Sequence, residues 1–230
     1  MSARLPIKAK SKLDSLYRQF DQRRDIVDPI QRVHNFRKRQ DREVAGFCAA
    51  ALAFGRVTSV LQTIDALLAV MGDSPAQFVR QFDAAEHRRT IGSITHRWIR
   101  GQDLLALLLI LRRMLVTSGS IETFFNEGYD VNMPDIENAL ESFSSRALGV
   151  NLDSVYGRAT RRNVSYFFPR PSKGSACKRL NLYLRWMVRR DELDLGVWTT
   201  VRSSQLVIPL DTHTIRVGQC LGLTLSLIHI

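Results

Sequence analysis

Cysteine is scarce in this sequence of 230 residues. The three cysteines, Cys48, Cys177 and Cys220, lie far apart in the chain and are odd in number. Their spacing excludes a disulfide framework and the paired thiols of metal or redox sites, and an iron–sulfur cluster would need a fourth thiolate. So few cysteines are typical of a reducing compartment, and we expect the cytoplasm.

Long hydrophobic runs and secretion signals are also missing. The longest apolar run, 104–111, ends at Arg112 and Arg113 and is too short to span a bilayer. The basic stretch 1–12 has no apolar segment that would make it a signal peptide. The sequence therefore predicts a soluble cytoplasmic protein with no membrane partner.

The sequence signatures of nucleotide and cofactor chemistry are absent as well. The chain has no P-loop, no GxGxxG and no GxSxG pattern, which disfavours nucleotide hydrolysis, dinucleotide binding and serine hydrolysis. Its histidines have no partners at ligand spacing. We therefore predict neither a metal site nor a cofactor.

Acidic residues are missing from one long stretch of the chain. No aspartate or glutamate lies between Asp153 and Asp191, whereas ten basic residues do: Arg158, Arg161, Arg162, Arg170, Lys173, Lys178, Arg179, Arg185, Arg189 and Arg190. The other basic residues nearly balance the 22 acids, so this stretch accounts for most of the net charge of +11. Concentrated positive charge indicates contact with phosphates, and a solvated face or an acidic protein partner is the alternative.

The hydrophobic pattern is helical almost throughout. It predicts helices over 13–25, 41–54, 57–71, 103–116, 121–125, 134–148, 175–190 and 212–221, with Pro75 in the first turn of a further helix. No strand series, repeat or long linker is visible. We predict a mainly α fold in which residues 1–224 form a single all-α domain, for which two lobes around a cleft is a plausible arrangement.

The segment Lys173–Arg179 places a glycine and a serine between lysines at the predicted start of a helix. Free backbone N–H groups and the helix dipole can bind a phosphate there. Lys178, in the first turn, is a candidate nucleophile toward a carbon electrophile. The alternative is structural: Ser175 caps the helix and the basic side chains are solvated.

Asp211 follows the apolar stretch 205–210 and precedes the last predicted helix. As an N-cap, its carboxylate would accept hydrogen bonds from the N–H groups of His213 or Thr214. As a buried carboxylate facing a pocket, it would stabilise a developing cation or receive a proton. One residue can serve both roles, so both interpretations stay open.

Several segments resemble a bacterial family of unknown function, DUF2400. They are Pro171–Asn181, Leu184–Arg189, Asp194–Trp198 and Ile208–His213, with earlier matches at Asp41–Glu43, Ala53–Arg56 and His96–Trp98. The resemblance covers roughly 16–224, and its C-terminal motifs are long. The family is similar in turn to the helix-hairpin-helix DNA glycosylase superfamily.

That similarity implies a two-lobe helical fold with DNA in the cleft and a flipped nucleotide in a pocket. Leu210–His213 followed by Arg216 resembles the superfamily's Asp-Thr-His segment, which implies that Asp211 is the catalytic aspartate. Lys178 is then placed like the lysine of the bifunctional glycosylase/lyases, and the archaeal 8-oxoguanine glycosylase type is the nearest analogy. Lys178 would attack the sugar C1′ and form a Schiff base, and Asp211 would activate the lysine and stabilise the oxocarbenium-like state.

The same resemblance assigns the nucleic-acid contacts. Backbone phosphates would be held by Lys173, Gly174, Ser175 and Arg179, and Arg185 and Arg189 are candidate contacts on the polar face of the same helix. The expected partner is double-stranded DNA that is damaged or abasic, with RNA as the alternative.

Two features depart from the resemblance. The usual hairpin, Leu-Pro-Gly-Val-Gly, is replaced by Pro171–Ser175. The family continues past residue 224 into a helical segment with an Asp-Pro-Val-Lys-Tyr-Asp-like end, whereas 225–230 matches nothing in that segment. We therefore expect a truncated C-terminus with a spurious tail at 225–230.

Two functions from different classes fit these observations. One is a DNA glycosylase or abasic-site lyase; the other is a non-enzymatic DNA- or RNA-binding module on the same fold. The pair Lys178 and Asp211 favours the enzyme, because a pure binder needs a basic face but no lysine–carboxylate pair. A third alternative, binding to an acidic protein, would show no salt-dependent DNA affinity.

Overall fold

The structure is a computed structural model that describes residues 7–20, 27–157, 163–208 and 212–221. Within these ranges the chain is mainly helical. The α-helices are α1 (Ile7–Phe20), α2 (Ile30–His34), α3 (Arg39–Leu52), α4 (Val57–Met71), α5 (Pro75–Arg80), α6 (Gly101–Thr117), α7 (Ile121–Asn126), α8 (Glu137–Leu148), α9 (Asp153–Tyr156), α10 (Lys178–Val188) and α11 (Thr212–Cys220). The described residues form no strand, only isolated bridges such as His96 with Ile99. The prediction of a mainly α fold is therefore confirmed.

The helix boundaries follow local signals in the sequence. α4 spans the predicted 57–71 and ends at Gly72, whose φ of +65° suits a residue without a Cβ. Pro75 is the first residue of α5, where its missing N–H costs nothing. α1 begins six residues before the predicted start of 13–25, and residues 21–26 lie outside the described part of the chain.

The core is built around α3 and α6, which are buried over most of their lengths. α3 packs against α2, α5 and α10, and α6 packs against α5, α7, α8 and α9. α10 approaches α3 closely at Gly46, because a Cβ there would lie 2.8 Å from the Met187 methyl carbon. The apolar side chains of α10 that the sequence placed on one face are buried against this core: Leu180, Leu184 and Met187.

The acids at the start of α3 connect it to two other helices. Asp41 accepts a hydrogen bond from the Ala76 N–H at 2.9 Å, in the first turn of α5. Glu43 accepts one from the Ile121 N–H at 3.1 Å, at the start of α7. The segment Asp41–Glu43, which resembles the family, therefore caps two neighbouring helices with its carboxylates.

One cluster of buried apolar side chains runs from Ile30 to Val201 through the described residues. The division into two lobes and the domain boundary at 224 stay predictions, and residues 225–230 lie outside the described ranges. None of the helices described is long and apolar enough to cross a bilayer.

Candidate functional site

The predicted phosphate-binding segment ends in an unusual helix start. α10 begins at Lys178, three residues after the predicted start at Ser175, because Cys177 adopts the left-handed conformation with φ +47°. Cys177 occupies the N-cap position and no side chain caps the helix. The structural interpretation of Ser175 as N-cap is therefore wrong: its hydroxyl instead accepts from the Cys177 N–H at 3.2 Å.

The loop before α10 is held by one carboxylate on α8. Glu141 accepts hydrogen bonds from the Ser172 N–H at 3.0 Å, the Ser172 hydroxyl at 2.8 Å and the Arg170 Nε at 2.6 Å. The Ser172 N–H and the Arg170 guanidinium lower the pKa of Glu141 to about 2. This contact fixes the Pro171–Lys173 turn, which Gly174 closes with φ +72°.

A pocket of about 320 Å³ lies between this loop and α8. The residues before α10 form one wall: Pro171, Gly174, Ser175, Ala176 and Cys177, with Asn181 from α10 itself. Asp135, Glu137 and Leu140 form the α8 side, and Val207 and Ile208 close the pocket. Ile208 precedes Asp211 by three positions in the sequence. The pocket is therefore lined by residues close in sequence to both predicted catalytic residues.

Asn181 is the buried polar group of this pocket. Its side chain is 3% exposed, and its amide nitrogen donates to the Ala176 carbonyl at 3.1 Å. A carbonyl oxygen only accepts, so this contact fixes the orientation of the amide. The other end, Oδ1, has no hydrogen-bond partner among the described residues. A buried acceptor without a donor carries an energetic cost.

The structure describes one of the two predicted catalytic residues, Lys178, and not the other, Asp211. Lys178 is the first residue of α10 and its side chain is exposed. Asp211 lies outside the described residues; α11 begins at the residue after it, where the sequence predicted a helix start. Lys173 and Gly174 are exposed beside the pocket. The roles of all four stay predictions.

The three arginines predicted to contact nucleic acid are engaged within the protein. Arg179 donates to the Tyr166 carbonyl at 2.6 Å, and burial lowers its pKa. Arg185 donates to the buried carboxylate of Asp194 at 3.0 Å, and Arg189 donates to Asp191 at 2.9 Å. These partners do not exclude nucleic-acid contact, because Arg185 and Arg189 keep more than a third of their side-chain surface exposed.

Within the described ranges, no three histidine, cysteine or acidic side chains cluster in a way that could hold a metal ion.

A comparison with protein-family models identifies the family of this chain. The model of a family described as a protein of unknown function, DUF2400, matches residues 28–227. The chain belongs to the DUF2400 family. A search of curated proteins and a search of solved structures each find no match.

Two residues of the DUF2400 site were not identified from the sequence as functional. Asn181 is a polar residue at a buried position of an amphipathic helix, between Leu180 and Leu184, and this break in the pattern was a usable signal. The role of Glu141 could not be predicted from the sequence, because its partners Arg170 and Ser172 lie 29 and 31 residues further along the chain.

Proposed function

We propose that this DUF2400 protein is a DNA glycosylase or abasic-site lyase that works through Lys178 and Asp211. The observation that carries the proposal is the pocket beside the start of α10. Residues just before Lys178 and residues just before Asp211 line the same cavity. One of its lining residues, Asn181, carries a buried acceptor without a partner in the described part of the chain. The similarity of the sequence to the helix-hairpin-helix glycosylases supports the assignment of roles.

The pocket suits a nucleobase in size and chemistry. A cavity of about 320 Å³ is at the lower end of small-molecule sites. Leu140, Val207 and Ile208 supply apolar contact for a planar ring. Asn181 Oδ1 accepts a hydrogen bond from an N–H on the edge of the base. A base extruded from the duplex would therefore find both contact and a specific polar partner.

The proposed chemistry takes place beside that base. The Lys178 amine attacks the sugar C1′, the glycosidic bond breaks, and the base leaves with the bonding electron pair and takes up a proton. Loss of the amine proton and opening of the sugar ring give a Schiff base between Nζ and C1′. Asp211 receives a proton from the lysine and stabilises the positive charge that develops on the sugar.

Borohydride trapping tests the proposal directly. The chain is incubated with labelled duplex DNA carrying one abasic site or one 8-oxoguanine, and borohydride reduces any Schiff base to a stable covalent adduct. We expect an adduct with the native protein and none with Lys178→Arg, which keeps the charge but cannot form this Schiff base. Lys12→Arg is the matched control: it makes the same change at an exposed lysine of α1 and should keep the adduct.

The alternative is a non-enzymatic nucleic-acid-binding module, which the exposure of Lys178 favours because nucleophilic lysines are usually activated by burial or a neighbouring group. Salt-sensitive DNA or RNA binding without an adduct would establish this alternative. An adduct that persists in Lys178→Arg would contradict the assigned nucleophile.

A further inference from the structure

Two family-like segments that play no part in the pocket meet on the surface. Phe54, from Ala53–Arg56, packs against Trp98, from His96–Trp98, with ring centroids 4.8 Å apart. Tyr166 joins them, with its ring 5.2 Å from that of Trp98. The fold therefore assembles three aromatic rings from segments more than forty residues apart in the sequence.

Two arginines complete this surface. The Arg179 guanidinium lies 4.6 Å from the Tyr166 ring and 5.0 Å from the Phe54 ring, and the Arg97 guanidinium lies 5.0 Å from the Trp98 ring. Among the described residues, no carboxylate forms an ion pair with either arginine. We call these five residues the aromatic–arginine platform.

The backbone around the platform is held in uncommon conformations. Arg97 has φ +55°, which few residues other than glycine adopt. Gly55 has φ +104°, and a Cβ on it would lie 3.1 Å from the Arg97 Cδ. Glycine at position 55 therefore gives Arg97 room to lie across the chain and over Trp98. Strained positions of this kind cluster at binding sites.

The platform lies next to the pocket but on the other side of Lys178. Cys177 and Asn181 line the pocket from one face of α10. Arg179 is two residues before Asn181, about 200° around the helix, and reaches the platform. Lys178 lies between Cys177 and Arg179 in sequence. A strand passing Lys178 would meet the pocket on one side and the platform on the other.

We propose that the platform stacks an unpaired nucleobase on Tyr166 while Arg97 contacts the adjoining phosphate. Tyr166 is 45% exposed, and the flat face of any base can stack on a tyrosine ring. An aromatic cage for a methylated cation is disfavoured, because both charged members of the platform are positive. The inference rests on the proposed nucleic-acid substrate and adds a second contact to it.

The test compares two fluorescein-labelled DNA duplexes by fluorescence anisotropy, one fully paired and one with a single unpaired adenine. We expect Tyr166→Ala to weaken binding to the second duplex about five- to one-hundred-fold, as loss of one stacked base does. Tyr166→Phe keeps the ring and should bind like the native protein. Arg97→Asn, which tolerates a positive φ, should weaken binding of both duplexes and reduce its dependence on salt.

Arg113→Ala is the matched control for charge. Arg113 is exposed on α6, twelve residues and about 18 Å from the start of that helix, and belongs to neither site. Thermal denaturation confirms that each variant is folded. If folded Tyr166→Ala binds the duplex with the unpaired adenine as tightly as the native protein does, the proposed stacking on the platform is wrong.

The same experiment separates the platform from the proposed function. Weakened binding in Tyr166→Ala, without any borohydride adduct from the native protein, supports the platform and overturns only the lyase. An adduct with unchanged affinity in Tyr166→Ala overturns only the platform. A native protein that binds neither duplex overturns both.

Discussion

The Asn181 side chain carries an unpaired buried oxygen, which lowers the stability of the fold, and we propose that this oxygen binds a nucleobase. Its Oδ1 is buried without a donor among the described residues, whereas the buried residues Leu180 and Leu184 near it in α10 are apolar. Replacing a buried polar group by an apolar one of similar volume removes the cost of leaving it unpaired.

We therefore expect Asn181→Leu to leave the free energy of unfolding unchanged or to raise it by roughly 1 kcal/mol. The same variant should lose affinity for DNA that carries the base bound in the pocket. Chemical denaturation and anisotropy measure the two effects. A variant that is destabilised by several kcal/mol would show that the Asn181–Ala176 hydrogen bond outweighs the unpaired oxygen, and that the residue is structural.

At the scale of secondary-structure elements, α8 controls the loop that leads into α10. Three hydrogen bonds from Arg170 and Ser172 converge on the single carboxylate of Glu141. Ser144 of α8 also donates to the Pro169 carbonyl at 2.8 Å, so two residues of α8 hold this loop. The segment from Arg170 to Ser172 is the part that responds to the charge state of Glu141.

This anchor makes the loop sensitive to acid. The pKa of Glu141 is lowered from 4.5 to about 2, so the folded state holds this proton less tightly than the unfolded state. The stabilisation is fully present above the ordinary value and is lost as the pH falls toward 2. We expect Glu141→Gln to exchange the Ser172 amide hydrogen faster at neutral pH and to lose less stability in acid than the native protein.

Hydrogen exchange and denaturation between pH 5 and 2 measure these effects. Glu86→Gln, which makes the same change at an exposed position, is the control. Equal protection of Ser172 in both variants would contradict the anchoring role of Glu141.

At the scale of the whole molecule, the fold redistributes the charge that the sequence concentrates. Three arginines of the acid-free stretch form ion pairs with carboxylates from outside it. The carboxylates are Glu141 of α8, and Asp191 and Asp194 of the loop after α10. Arg185 and Arg189 both lie within 4 Å of the buried carboxylate of Asp194. The basic surface is therefore smaller than the linear sequence indicates.

We expect Arg185→Ala to lower the free energy of unfolding by roughly 1–2 kcal/mol, because it removes one partner of a buried carboxylate. Its effect on the slope of log affinity against log salt should be small. Lys173→Ala should do the opposite, reducing that slope by about one with unchanged stability. A reduced slope in Arg185→Ala would instead support the phosphate contact predicted from the sequence.

The sequence was informative where a local rule determines the structure. Gly72 and Pro75 mark the end of α4 and the start of α5, and the apolar run 104–111 marks a central helix. The start of α10 was missed because Cys177 adopts a left-handed conformation that cysteine rarely takes. The platform could not be predicted, because it depends on contacts between segments far apart in the chain.

The capping of α5 and α7 by Asp41 and Glu43 has a consequence for how the chain folds. Each of these helices has six residues, too few to persist alone in water. Both receive a carboxylate from the N-terminal half of α3 at their N-termini. α5 and α7 therefore depend on α3 for their first turns, and the N-terminal half of α3 joins three helices into one cooperative unit.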